Sequence, residues 1–443
     1  MLLSGRYMAH SHTLRFDTAS SFGLRGLALI WSPLFVFAVA FGVRLVLVLA
    51  THSYRDIELS EVVRVARSLA EHGTFADAFG PKTGPTAHVS PAYPIVLSLI
   101  FRVLGTGPTG ELGQAVLGAV ISSLAYATLP LLSSAAALGA EIGGVAGLIG
   151  AVLPINYWSE TKGSFEGPLA GLCLLLFCAA ISVCWRSRDF SIRAALVTGF
   201  VSGVALLTSP SLMPPIATAL VVGFMLHIKN CAKEYGVYIS IVLLCSVVCL
   251  TPWAIRNRIV FGTPLWSRSG LGIELSISNA DRAAANMYDN MHTGWFQSSH
   301  PFSSEVERRK LVQVGEIAYN HERMRQAVQW ITGHPSHFFY LTFQRTYYFW
   351  FPRMNRITQR VITVLLAIGG FAGGIQLVRA GNASGWLFLS SLVSYSFVYC
   401  FVQSFARYRM PIHWLLVFLT TFAAWSLAPG KSQTDKQMKA IRL

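Results

Sequence analysis

Charge is scarce in this sequence. Asp, Glu, Lys and Arg make up 12% of its 443 residues, against about 25% in an ordinary soluble domain. That scarcity excludes a disordered chain and argues against a soluble enzyme of this length. Acidic groups are the scarcer sign, 20 against 35 basic ones, for a net charge of +15. No aromatic-basic nucleic-acid module accompanies the excess. The cations instead flank apolar runs, where they anchor membrane helices, so no nucleic-acid partner is expected. Cysteine chemistry is lacking too. The seven cysteines include no Cys-x-x-Cys and no Cys/His pair at zinc-finger spacing, so they read as small hydrophobes beside apolar runs. Internal repeats, coiled coils and low-complexity stretches are absent. The first apolar run, 27–50, is too long for a signal-peptide core and lacks a small-residue cleavage site.

What remains is apolar: 53% of the residues are hydrophobic. They fall in runs about as long as a bilayer is thick. Ten stretches qualify as spans: 27–50, 113–136, 143–159, 168–185, 194–208, 211–227, 236–253, 360–378, 385–402 and 410–428. Residues 92–104 are short, and 338–351 are aromatic with Gln344 and Arg345 near the middle; both read as interfacial. The expected architecture is a single all-α polytopic membrane domain, 1–443, of about 10–12 transmembrane helices.

The positive-inside rule orients it. With the N-terminus inside, the inner segments collect Arg6, Arg15, Arg25, Arg186, Arg188, Arg193, Lys229, Lys233, Arg379 and the basic tail. Both termini are then cytoplasmic. Two large segments face outward, 51–91 and 253–359, ahead of the C-terminal helices at 360–428. Neither segment is long and apolar enough for a core of its own.

Polar chemistry gathers on that outward side. From Glu58 an amphipathic helix is expected, with Leu59, Val62, Val63, Ala66, Leu69 and Ala70 on one face. Glu61, Arg64, Ser68 and Glu71 share the other. A solvated polar face with a weak Glu61–Arg64 pair explains these residues equally well. Further on, Pro85, Pro91 and Pro94 stiffen a non-helical turn that holds His88 and Tyr93 at the membrane surface.

Several short motifs now fall in order: Arg64-x-Ala66, Gly73-x-Phe75, Pro85-Thr86-Ala87-His88-x-x-Pro91-x-Tyr93-Pro94, Pro252-Trp253-x-x-Arg256-Asn257, His334-Pro335 and Arg407-Tyr408-Arg409-x-Pro411. Together they resemble the membrane glycosyltransferases that use polyprenyl-phosphate sugars, the glycosyltransferase family 39 group of protein O-mannosyltransferases and 4-amino-4-deoxy-arabinose transferases. The resemblance spans almost the whole chain and implies a GT-C type fold in the bacterial inner membrane, with its site facing outward. The family's first-loop acid is an Asp, often in an Asp-Glu pair; the matching position here is Glu61, with Asp56 as rival. Further acidic groups are placed in the loop after an early helix, where Glu160 stands, with Glu166 as the alternative.

The implied donor is a polyprenyl-phosphate-linked sugar, and the acceptor a protein, lipid or glycan. A single carboxylate base and direct displacement would invert the anomeric centre. The leaving phosphate needs cations or donors around it. The candidates are Arg44, Arg256, Arg258, Arg407 and Arg409, with His88, Tyr93 and Lys162 behind them. A divalent metal ion would serve the same end, although no ligand set in the sequence demands one. Three other readings stay open: a transporter, disfavoured by the missing repeat; an assembly protein without chemistry; and a ligase using a diphosphate-linked donor.

Overall fold

A computed structural model describes residues 30–55, 59–153, 155, 157–354 and 356–428. In chain order the helices are α1 (Pro33–Thr51), α2 (Glu61–His72), α3 (Ala92–Leu104), α4 (Pro108–Ala135), α5 (Ala140–Val152), α6 (Tyr157–Lys162), α7 (Gly167–Ser187), α8 (Ile192–Thr208) and α9 (Met213–Phe261). The second half holds α10 (Leu271–Ser278), α11 (Met287–His292), α12 (Trp295–Ser299), α13 (Glu305–Val314), α14 (Glu316–Gly333), α15 (Pro335–Trp350), α16 (Ile357–Arg379), α17 (Ala383–Val398) and α18 (Met410–Leu427). No strand forms among the described residues.

Among the described residues, six helical stretches are long and apolar enough to cross a membrane. One of them covers two of the expected spans, because α9 is broken at Cys231 (φ −143°, ψ 36°). Ala140–Val152, Ile192–Thr208 and Ala383–Val398 are shorter apolar helices, as is Ala92–Leu104. Each of the ten stretches thus overlaps helix among the described residues, and the chain is an integral membrane protein.

Boundaries differ where caps and prolines act. The run expected over 143–159 stops at Val152, since Leu153 precedes Pro154 and turns extended (ψ 122°); a short second helix, α6, follows. α2 starts at Glu61 rather than Glu58, because the Ser60 hydroxyl accepts the Val63 amide and caps it. α9 continues through Trp253 and Arg256 to Phe261, where Gly262 (φ 74°) ends it.

Packing makes two cores. One fills the helix bundle around Phe177, Trp185, Phe388 and Phe418. The other is built jointly by the two large loops. Val62, Val63, Phe75, Phe79 and Val89 of the first meet Ile273, Ile277, Phe296 and Tyr319 of the second, with Leu97 and Trp253 beneath. Neither loop suffices alone, as expected, yet pooling their apolar residues gives a core that carries the functional residues.

A charged recess over the bundle

Ser60 anchors the start of α2 to the loop after α6 by donating to the Ser164 carbonyl (2.6 Å). Tyr93, fully buried, donates to the Gly163 carbonyl (2.5 Å). Gly163 has φ 58°, and a Cβ there would lie 2.4 Å from the Gln114 carbonyl oxygen, so only glycine fits. Tyr93 is therefore a positioning group. The 160–166 loop is pinned from three sides.

Glu160 and Arg44 belong to each other. Arg44 Nε and Nη2 donate to Glu160 Oε2 at 2.9 and 2.6 Å, both side chains buried. Tyr126 donates to Oε1 (3.2 Å), and the guanidinium lies 4.8 Å from its ring centre. Its remaining nitrogen caps the Ala40 and Ala151 carbonyls. Such a pair ties α1 to α6 inside the bundle. Lys162 is buried as well.

Arg256 is likewise engaged. It donates to the carbonyls of Thr86 (2.8 Å) and Phe75 (2.9 Å) and rests over the Trp253 ring (5.0 Å). It clamps the proline-rich turn. Arg258 is exposed and caps the end of α9 through Gly262. Arg409 is buried, donating to the Trp350 carbonyl (3.1 Å). Asp56 lies outside the described residues.

Glu61 is half-buried on the first turn of α2. Ligand atoms of Glu61, His88 and His300 all lie within 4.8 Å of one another. Burial pushes the His88 pKa well below its usual value, aided by His300 and Arg268. Burial, with Arg323, holds His300 down to about 3. Both rings are thus neutral at physiological pH. His300 is a residue the sequence did not flag; it carries no motif and reaches Glu61 only through the second loop.

Arg268 was equally silent in sequence. It stands between two tethered serines: Ser267 accepts from Trp253 Nε1 (2.6 Å), and Ser269 donates its amide to the Ala87 carbonyl (2.8 Å). Arg268 is exposed to solvent. Burial opposes its charge, and Glu166 and Glu274 outweigh that, so its pKa rises. Glu274, on α10, has its carboxyl raised by burial against the pull of Arg268 and Arg407. Arg407 lies 3.7 Å over the Phe165 ring. Among the described residues, none of the side chains of Arg268, Arg407, Glu166 and Glu274 makes a hydrogen bond or close ion pair. Four charged groups therefore lie near one another, and His88, near both Arg268 and Glu61, joins them to the Glu61 cluster.

Glu316 holds the arrangement together. Its buried carboxylate accepts from Thr86 Oγ1 (2.5 Å), the Ala87 amide (2.9 Å) and Ser269 Oγ (2.6 Å). Burial raises its pKa, against these three bonds and Arg256. Glu316→Ala leaves three donors unmet, and a loss of about 3 kcal/mol is expected; Glu316→Gln should lose less. Thermal unfolding in detergent measures both.

Solved structures with the same chain path exist. The archaeal oligosaccharyltransferase AglB from Archaeoglobus fulgidus, bound to an inhibitory peptide and a dolichol-phosphate, superposes with TM-score 0.56 at 13% identity, over 92% of this chain and 52% of that one. The fold is of the GT-C type. The apo oligosaccharyltransferase of the same organism gives TM-score 0.57 at 14% identity, and its complex with Zn and sulfate 0.55 at 12%, each over 92% of this chain. The chain spans about half the length of these oligosaccharyltransferases, so the likeness speaks for the GT-C fold alone. No family model and no curated protein matches the sequence.

Glu61, His88 and His300 offer the ligand types of a divalent-cation site. The tautomer at His300 does not suit one. Its Nδ1 accepts the Phe302 amide (3.1 Å), so the neutral ring carries its proton on Nε2. Glu61 and His88 then remain as the protein donors, and the cluster is consistent with a divalent ion that completes its shell with water or phosphate oxygens.

Proposed function

We propose that the protein is a membrane glycosyltransferase moving a sugar from a polyprenyl-phosphate donor to an acceptor at the outer face of a bacterial inner membrane. The observation that carries this reading is the recess itself. A carboxylate at the head of α2 lies beside His88 and His300, and His88 in turn lies near Arg268, which like Arg407 makes no side-chain hydrogen bond among the described residues. Arginine suits phosphate through its paired donors, and a pre-positioned cation stabilises charge that develops on a leaving group.

In this reading the lipid phosphate sits against Arg268 and Arg407. The acceptor hydroxyl or amine approaches the anomeric carbon from the side of Glu61. As its oxygen or nitrogen bonds to that carbon, its proton passes to the Glu61 carboxylate. The bond from the anomeric carbon to the phosphate oxygen breaks, and the electron pair leaves with polyprenyl phosphate. A single displacement of this kind inverts the anomeric centre. His88 and His300, held neutral, hydrogen-bond the reacting groups without competing for the proton. The acceptor peptide and dolichol-phosphate seen with the oligosaccharyltransferase neighbours are partners of the chemistry expected here.

Arg268→Ala tests the phosphate role. Affinity for decaprenyl phosphate should fall about tenfold to a hundredfold, as one charge-assisted contact is worth roughly 1.5–3 kcal/mol. Unchanged affinity would remove Arg268 from the site. Since no step runs through a cation, chelation with EDTA should change turnover by less than about twofold, whereas a metal-activated transferase would lose several kcal/mol of catalysis.

A further inference from the structure

We propose that a basic cleft between α13 and the turn at 77–84 docks an acidic segment of a protein acceptor and so brings a neighbouring hydroxyl to Glu61. The proposal rests on the reading of Glu61 as the base that meets the acceptor.

The cleft has a volume of about 500 Å³, with Lys82 and Thr83 on one side and Glu305, Arg308, Arg309 and Gln313 on the other. The α13 residues are spaced as one helix face. Charge in the cleft is unbalanced. Glu305 is the sole acid among its lining residues, and it accepts from Arg308 Nε (2.9 Å) and Arg309 Nε (2.9 Å). That pairing fixes both guanidiniums and leaves the Arg309 side chain 80% exposed. Lys82 is exposed at the tip of the turn and makes no hydrogen bond or ion pair among the described residues. Its φ of 64° is held by the turn itself. Thr83 donates its amide (3.3 Å) and its hydroxyl (2.9 Å) to the Gly80 carbonyl, and Asp77 accepts the Gly84 amide (3.0 Å).

A further cation stands where the cleft meets the Glu61 cluster. Gly80 has φ 140°, and a Cβ there would lie 3.1 Å from Arg308 Nη1 and 3.4 Å from Arg64 Nη1. Two guanidiniums thus converge on one point of the chain. Arg64 donates from Nε to the Leu59 carbonyl (3.1 Å) and rests over the Phe302 ring (4.9 Å), with no close ion pair among the described residues. Converging like charges repel each other, and an anion between them reverses the sign. Carboxylates suit guanidiniums through paired hydrogen bonds. Arg64 follows Glu61 by three positions on α2, so the two lie one helical turn apart. The wall of the cleft also backs onto the cluster. Phe79, whose carbonyl accepts from Arg308 Nη1 (3.0 Å), sets its ring 4.6 Å from that of His88 and 6.1 Å from that of His300. Glu305, Arg309, Lys310 and Gln313 are all exposed, so α13 lies in water. The occupant therefore arrives from the aqueous side, as a peptide does and a lipid headgroup does not.

Peptide binding to the purified full-length protein in detergent tests this. The probes are fluorescent peptides of equal length with a central Ser, flanked by Glu, by Gln or by Lys. The Glu peptide should bind about tenfold more tightly than the Gln peptide, and the Lys peptide more weakly than either. The gain should shrink as salt is raised, since the cleft is open to solvent. Lys82→Gln and Arg309→Gln, both at exposed positions that leave the Arg308 contact with Phe79 in place, should together erase the gain. The unfolding temperature of the double variant shows whether it is folded. A Glu gain that survives both substitutions overturns the proposal. So does equal binding of the three peptides, or no binding of any. Displacement of the Glu peptide by glycerol 1-phosphate at lower concentration than by its own unlabelled form overturns it too, in favour of a lipid headgroup. A persistent Glu gain with no polyprenyl phosphate released from any donor, whatever the acceptor, would instead overturn the transferase reading beneath it.

Discussion

Glu61→Gln should lower transfer by about a thousandfold, within the 10²–10⁴ range that general-base catalysis supplies. The substitution removes the proton acceptor and nearly preserves volume. Glu61 is half-buried at a helix start capped by Ser60, so the cap and helix survive. Unfolding temperature should therefore move little. Donor binding should also persist, because Arg268 and Arg407 are untouched. Loss of turnover with retained decaprenyl phosphate binding is the expected signature. Full activity in Glu61→Gln, with loss in Asp56→Asn, would transfer the base role to Asp56.

Arg44→Met should destabilise the protein by about 3–5 kcal/mol, the usual cost of leaving one partner of a buried ion pair uncompensated. Glu160 would keep its charge in the bundle, with the Tyr126 hydroxyl as its remaining hydrogen-bond donor among the described residues. The Ala40 and Ala151 carbonyls would lose their donor as well. The double variant Arg44→Met, Glu160→Gln should recover part of the loss, since no charge remains buried. A thermal unfolding series of the two single variants and the double variant measures this coupling. Additive losses, with no recovery, would show that the pair contributes through separate contacts.

These two variants separate roles that look alike in sequence. Glu61 and Glu160 are both acids in short polar stretches next to apolar runs, and the resemblance assigned both to catalysis. Burial divides them: Glu160 is buried and paired with Arg44, whereas Glu61 is half-buried beside His88 and His300. The same holds among the arginines. Arg44, Arg256 and Arg409 hold other protein groups, Arg258 caps a helix, and Arg407 alone of the five lines the recess.

The bundle was legible because membrane spans announce themselves locally, through run length and flanking charge. The proline turn from Pro85 to Pro94 was legible for a similar reason, since its rigidity is covalent. Arg268, Glu274, His300 and Glu316 were not. Each lies in the second large loop with no periodic pattern, and each acquires its role through a partner far along the chain; Glu316 meets Thr86 across 230 positions. Arg345 is similar: a cation in an aromatic stretch, fully buried because Asn279 and the Ser278 and Phe401 carbonyls take its charge. The joint core of the two loops was hidden too, because each half is too small to be recognised alone.

The most direct measurement is product analysis on the purified wild-type protein. Polyprenyl-phosphate sugars are offered with and without a cell-envelope extract, and mass spectrometry follows free polyprenyl phosphate and glycosylated product. The account predicts release that depends on the acceptor and matches the glycosylated product mole for mole. Turnover of a diphosphate-linked donor alone, or no release from any lipid-linked sugar, would contradict it.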